Sequence, residues 1–406
     1  MLNIPKYKIK LIKNDSINNK SLQENPILWK PLLYGLMIIG ISIPDEHATK
    51  NDTFSLALSS KYIKRILRDL WATILLIMLF IDVYEVVSVL QKKHLIVFVD
   101  TVLLIVLRIS TQSSLQKLVN YFKNMENIFL SSDKPSWKVS FKQWVKMWCL
   151  FVSIYNIASI SNVAIAITDV HYECPALTDL SLHLKKWPNL VKFIRIVFPV
   201  LIICRSALSN YAPTMSALVC AFAFKMERKI IQNQNAKIAR RMRNGLSNKA
   251  FSEASAVMHS TTTLLHSVTE SLSLMVLILI SYWISNIFVC ITNILHDKVA
   301  GIQILIFLTC VVVIFSSMFT YLVYLAFMVR QEYQNLKDHL LSVVESDSEL
   351  FERASTAVNF ELFGRIHDGL EAKIVVTPLD LFTVDTSLIL TVLGAVITYS
   401  VIIFQC

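Results

Sequence analysis

The sequence predicts an all-α polytopic membrane protein with seven transmembrane helices, an intracellular N-terminus and an extracellular C-terminus. Three observations carry this prediction. Hydrophobic residues make up 54% of the 406 positions and charged residues only 17%, with a mean hydropathy of +0.55. The apolar residues fall in blocks near the roughly 20 that a helix needs to cross a lipid core of about 30 Å. Lys and Arg concentrate in alternate connecting segments, which fixes orientation. Glycine is scarce, at 7, as suits long helices whose backbone groups must be satisfied within the segment.

Residues 1–69 read as a cytoplasmic N-terminal segment. The opening, MLNIPKYKIKLIKNDSINNKSLQ, is polar and basic and has no apolar signal-peptide core, so the first span is expected to serve as its own insertion signal. PLLYGLMIIGISIP, residues 31–44, is too short to cross. It reads as a helix lying at the membrane surface, re-entering it, or packed on the bundle.

Residues 70–328 read as a bundle of six spans. Segments 147–168, 271–295 and 299–329 carry no charge, and neither does the final segment, 386–406. Three others are interrupted: 71–90 by Asp82 and Glu85, 95–110 by Asp100 and Arg108, and 190–224 by Lys192, Arg195 and Arg205. With the N-terminus inside, the cytoplasmic segments hold 29 Lys and Arg and the opposite side 5. Two glycosylation sequons, at Asn14 and Asn51, lie on the side that this count places in the cytoplasm; the charge bias is the stronger signal. Residues 226–270 and 330–378 contain helix formers with apolar residues at three- and four-residue spacing. The fourth to sixth spans are therefore expected to continue as helices into the cytoplasm and pack there. Residues 329–380 read as cytoplasmic anchor helices and 381–406 as the seventh span.

The composition excludes several classes. The net charge of +10 lies in loops between spans rather than on one basic face, so it orients the chain and does not predict nucleic-acid binding. The seven cysteines have no metal-ligand spacing and most read as small buried hydrophobes. No zinc-protease helix motif or phosphate-binding glycine loop is present, so neither an enzyme nor a cofactor is expected. A secondary transporter would show repeats and matched broken helices, and none is evident. A G-protein-coupled receptor would have its N-terminus outside, against the charge count; neither Asp-Arg-Tyr at the end of the third span nor Asn-Pro-x-x-Tyr in the last is found.

The last segment, TVLGAVITYSVIIFQC, carries its own signal. On a helix, Thr391, Gly394, Ala395, Thr398, Ile402 and Gln405 share one stripe, with Val392, Val396 and Ile403 opposite. Thr and Gln are not expected to face lipid, so the stripe faces protein or water. Two readings stand: a helix–helix contact through small residues, or the wall of a pore. In the pore reading, Gln405 presents a carboxamide, donor and acceptor both, with its oxygen available to a partly dehydrated cation. Ile402 and Phe404 are then the nearby apolar constriction.

TYSVIIFQ, 398–405, resembles the C-terminal signature of insect gustatory receptors, which end in Thr-Tyr, five mostly apolar residues, Gln and Phe; here Thr398, Tyr399 and Gln405 match and Cys406 stands at the Phe position. The length, seven spans, inside N-terminus and short C-terminal tail are also similar, and 31–44 looks like the family's opening segment. The resemblance implies a taste receptor in the plasma membrane that acts as a ligand-gated, non-selective cation channel. It implies a homotetramer, with hetero-oligomers of related receptors as the alternative, and a pore lined by Thr398, Ile402, Phe404 and Gln405. Its partners would be a small-molecule tastant, permeating monovalent cations with some calcium, and membrane lipids. The Cys at 406 moves any apolar gate to Ile402 or Phe404. The sugar-sensing branch commonly has Glu after Thr-Tyr, where this chain has Ser400, so bitter-type compounds are the broader expectation beside sugars.

A ligand pocket is expected in the outer half of the bundle, where the spans are unusually polar. Asp100, Asn162, Tyr282, Trp283 and Asn286 are the candidate ligand contacts, since intramembrane polar groups face an interior or a cavity. The alternative is that these groups satisfy one another, for example Asp100 with Arg195.

Overall fold

The computed structural model of the chain describes residues 32, 35–36, 41, 61–89, 92–130, 143–157, 160–161, 188–243, 248–296, 302–345, 384 and 386–405. Among these the regular structure is helical throughout. We label the helices α1 (Lys61–Val89), α2 (Lys92–Leu130), α3 (143–157), α4 (Pro188–Arg243), α5 (Asn248–His296), α6 (Ile302–Glu345) and α7 (Thr386–Gln405). Four contain stretches long and apolar enough to cross a membrane: Phe98–Leu118 in α2, Pro199–Arg240 in α4, Leu265–Leu295 in α5 and Leu305–Leu336 in α6. The apolar part of α7, Ser387–Tyr399, is shorter. The expected third span, 147–168, is described only to 157 and at 160–161.

The middle helices overrun a bilayer. With 56 residues, α4 is about 84 Å long, more than twice a hydrocarbon core of about 30 Å. The 49 residues of α5 and 44 of α6 overrun it as well. The helical continuations expected of the fourth to sixth spans are present as far as the described residues reach. Beyond the most apolar part of the helices, Arg228 of α4 reaches Glu332 of α6 at 3.0 Å, and Gln232 donates to the same carboxylate. The extensions thus pack on each other.

The core centres on α4. From Ala217 to Phe224 every residue is at most 5% exposed. A helix buried all round lies inside a bundle, and α4 packs against α2, α5 and α6. Ala217, Ala221 and Ala223 leave room for neighbouring backbones. By contrast, α1 and α3 turn large apolar side chains outward, among them Ile66, Phe80, Leu150, Ile154 and Ile157. Such a surface suits lipid rather than water. Helix α7 lies at the flank, packed on α5 and α6.

Part of the 31–44 segment is packed on the bundle. Leu32, Leu36 and Ile41 are buried, and the Ile41 N–H donates to the Leu36 carbonyl at 3.1 Å. Gly35 faces α4 so closely that a Cβ there would collide with the Met215 side chain and approach the Tyr211 hydroxyl. Gly35→Val is expected to cost about 1–3 kcal/mol through overpacking and to lower the melting temperature of the purified protein. Met215→Ala in the same chain should recover part of that loss. A Gly35→Val protein that melts with its parent would show that the contact is slack.

Candidate functional site

Towards one end of the bundle the helices carry a belt of polar side chains, and most of them satisfy one another. Asp82 of α1 is 1% exposed. It accepts from Arg205 of α4 at 2.7 Å and from Thr101 of α2 at 2.5 Å. Arg205 also donates to the Thr101 hydroxyl at 2.8 Å. Three helices are therefore tied by one closed triangle, with the carboxylate paired as buried charge requires. Beside it, Asp100 of α2 accepts from Ser285 of α5 at 2.7 Å. The side chain of Arg195 lies outside the described residues. Further along, Thr111 meets Ser216 at 2.8 Å, and Ser114 donates to the Ser271 carbonyl at 2.7 Å.

Tyr282 does a specific structural job. Pro213 lies inside α4 and has no N–H, so the carbonyl four residues earlier, that of Ser209, loses its helical donor. The Tyr282 hydroxyl of α5 donates to that carbonyl at 2.6 Å. In lipid a freed carbonyl is re-satisfied by a neighbouring helix, a Ser or Thr side chain, water or a local adjustment of the turn, and here this tyrosine contributes from the neighbouring helix. Thr214 donates to the carbonyls of Asn210 and Tyr211 in the same turn.

The candidate ligand contacts separate into two sets. Tyr282 and Trp283 are at most 1% exposed and pack edge-on against Phe315 and Phe319 of α6. Asp100 and Asn286 are partly exposed, and the Asn286 amide donates to the Tyr282 carbonyl at 2.9 Å. Asp100, Ser285 and Asn286 thus form the more open part of the group. Asn162 lies outside the described residues.

The last helix presents two unlike faces. Val392 and Val396 are buried against the bundle, at 9% and 4% exposure. Thr391, Gly394, Ala395, Thr398 and Ile402 are exposed, and a Cβ added at Gly394 would meet nothing within 4 Å. Among the described residues, this part of the stripe is therefore not used for packing. Tyr399 is also exposed, at 62%. The backbone stays helical through Phe404 and Gln405, whose side chains lie outside the described residues.

A bundle of long helices tied by intramembrane polar contacts defines a helical membrane protein of known shape. No family model matches the chain, and no curated protein matches it by sequence. Among solved structures it is similar to the insect olfactory receptor OR5 from Machilis hrabei, with a TM-score of 0.63 and 13% identity over 93% of this chain and 97% of that one. The same receptor in complex with eugenol gives a TM-score of 0.62 at 13% identity, with the same coverage. The chain has the fold of that receptor over nearly the whole length of both.

Proposed function

We propose that the chain is a subunit of an insect chemoreceptor channel of the gustatory type. A small organic tastant opens a cation pathway lined by α7 in a homotetramer. The observation that carries this reading is the exposed stripe of α7. A helix whose small and polar face is exposed among the described residues, with Thr391 turned back onto the Ser387 carbonyl, can be covered by further copies, and several copies around an axis enclose water. The fold shared with an olfactory receptor supports it, as does the Thr-Tyr…Gln signature. The complex of that receptor with eugenol supports a small organic ligand, which we place near Asp100, Ser285 and Asn286. A small molecule there would exchange with hydrogen bonds that the side chains otherwise make to each other.

Cysteine accessibility tests the pore. In voltage-clamped cells expressing the full chain and screened with sugars and bitter compounds, Thr398→Cys and Ile402→Cys are expected to make the evoked current sensitive to a cationic thiol reagent. Val396→Cys, on the buried face, is expected to remain insensitive. The parent, which has an exposed Cys310, sets the baseline. Equal insensitivity at 398 and 402, with current intact, would remove α7 from the pore.

A further inference from the structure

Three arginines gather on the seam between α1 and α2, away from the polar belt and from α7. Arg65 and Arg68 stand one turn apart on α1, and their side chains are 75% and 51% exposed. Arg108 of α2 is half-buried and reaches across the seam, donating from Nη2 to the Arg68 backbone carbonyl at 3.0 Å. That contact sets its guanidinium beside the turn of α1 that carries the other two. Asp82 of the polar belt lies about 21 Å further along α1. The seam is also on a different side of the bundle from α7, since α1 packs on α2 and α4 whereas α7 packs on α5 and α6.

The charges on the seam do not balance. Asp69 accepts from the Arg68 Nε at 3.0 Å and lies 3.8 Å from that of Arg65, the second distance being too long for a hydrogen bond. Arg108 is held by a carbonyl, and among the described residues no carboxylate pairs with it. Three guanidiniums therefore share one acid there, and each keeps most of its five N–H donors. Next to them the outer surface is apolar: α1 turns Leu70, Ile77 and Phe80 outward, and α2 turns Val106 and Ile109 outward.

Depth follows from length. Val89, where α1 ends, is about 32 Å along the axis from Arg68, which matches a hydrocarbon core of about 30 Å. Half-buried Trp71, one turn beyond Arg68, suits the boundary with the headgroups. A guanidinium at that boundary without a counter-ion is unfavourable. A phosphate answers the need, because the planar fork binds its oxygens in pairs. We propose that the seam binds the headgroup of an anionic phospholipid, its phosphate between Arg108 and the Arg65–Arg68 turn and its acyl chains along the outward apolar face of α1. The chains occupy a surface already turned to lipid, so no cavity is required. Three cations against one carboxylate favour an anionic over a zwitterionic lipid. The charge bias assigns this end of α1 to the cytoplasm, where anionic lipids concentrate. The proposal does not require the chain to be a channel.

The test uses the full-length protein in nanodiscs of mixed phosphatidylserine and phosphatidylcholine, one of the two carrying a photoreactive acyl chain, followed by peptide mapping. The stretch of α6 from Leu305 to Val313, with Ile306 and Val313 exposed and no cation, sets the baseline for a surface that merely faces lipid. Against it, the 66–80 and 99–109 peptides are expected to label severalfold more with phosphatidylserine than with phosphatidylcholine. Arg108→Gln should cut that preference about fivefold, the worth of one basic residue near a charged surface. If Arg108→Gln disturbs the seam, Arg65→Gln, at a side chain 75% exposed, carries the test with the parent's elution and melting temperature. Arg240→Gln, exposed on α4 about 50 Å beyond Arg205, should leave the preference intact. Equal labelling by the two lipids at the seam, as on α6, would overturn the proposal, and so would a preference that survives both seam substitutions. Loss of the preference on adding inorganic phosphate, but not chloride of equal ionic strength, would assign the arginines to a soluble anion and overturn it as well.

Discussion

Arg205→Met is expected to destabilise the protein by about 3–5 kcal/mol, because it leaves a buried carboxylate without its counter-charge. Asp82 is 1% exposed, and its partner across the 2.7 Å bridge is only 25% exposed, so solvent cannot replace the guanidinium. The loss should appear as a fall in surface abundance and in the melting temperature by fluorescence-detected size exclusion. Asp82→Asn in the same chain removes the orphaned charge and should recover most of the loss. Replacing both members by apolar residues of similar volume is often neutral in such sites. Thr101→Val, which deletes only a neutral member of the triangle, should cost about 1–3 kcal/mol. If Arg205→Met melted with the parent and the double variant gained nothing, the triangle would contribute no stability. The test is informative for function too, since the triangle joins α1, α2 and α4 beside Asp100. A ligand there would act on helices already fastened together, so a loosened triangle should also weaken the coupling between ligand and current.

The long helices were legible because the bilayer makes hydrophobic length a direct signal. The apolar block at 271–295 reappears inside α5 and that at 299–329, from 302 on, inside α6, and the amphipathic spacing after 225 reappears as the continuation of α4. The pairing of polar groups was less legible. Asp82 and Arg205 were both visible as charges inside spans, yet they lie 123 positions apart, and nothing local fixes which helices meet. Tyr282 shows the same limit in another form. Its sequence neighbours suggest a pocket, whereas its hydroxyl completes the backbone ladder opened at Pro213. A proline within a span is the signal that such a donor must exist somewhere, but only the packing of α5 on α4 says where. On α7 the periodicity alone separated the two faces, since the residues opposite the small and polar stripe, Val392 and Val396, are the ones buried. That stripe left packing and pore as alternatives, and its exposure is to be set only against packing by the described residues.

If α7 lines the pathway as proposed, Gln405→Glu is expected to change ion selectivity strongly. The position follows Thr398 by seven residues and Ile402 by three, which places it on the same face of α7. In a tetramer four copies would ring one end of the pathway. Carboxamides replace part of a cation's hydration shell without holding it fast, so the parent should pass monovalent cations with weak discrimination and some calcium. Four carboxylates alter that balance. At an effective dielectric of about 20 and a distance of about 8 Å, each attracts a monovalent cation by about 2 kcal/mol and a divalent one by about 4. Screening by permeating ions reduces the sum, yet a residue of about 1.4 kcal/mol in favour of the divalent ion is already tenfold in occupancy. Reversal potentials in sodium- and calcium-based solutions should therefore shift towards calcium, or external calcium should block the sodium current at concentrations that leave the parent untouched. Gln405→Ala, which removes the ring without adding charge, should change conductance more than the ligand concentration for half-response. Channels carrying Gln405→Glu that kept the parent's reversal potentials and its tolerance of calcium would place this residue away from the ions. The exposed face of α7 would then be a contact between subunits, and the conducting path would have to be sought on another helix.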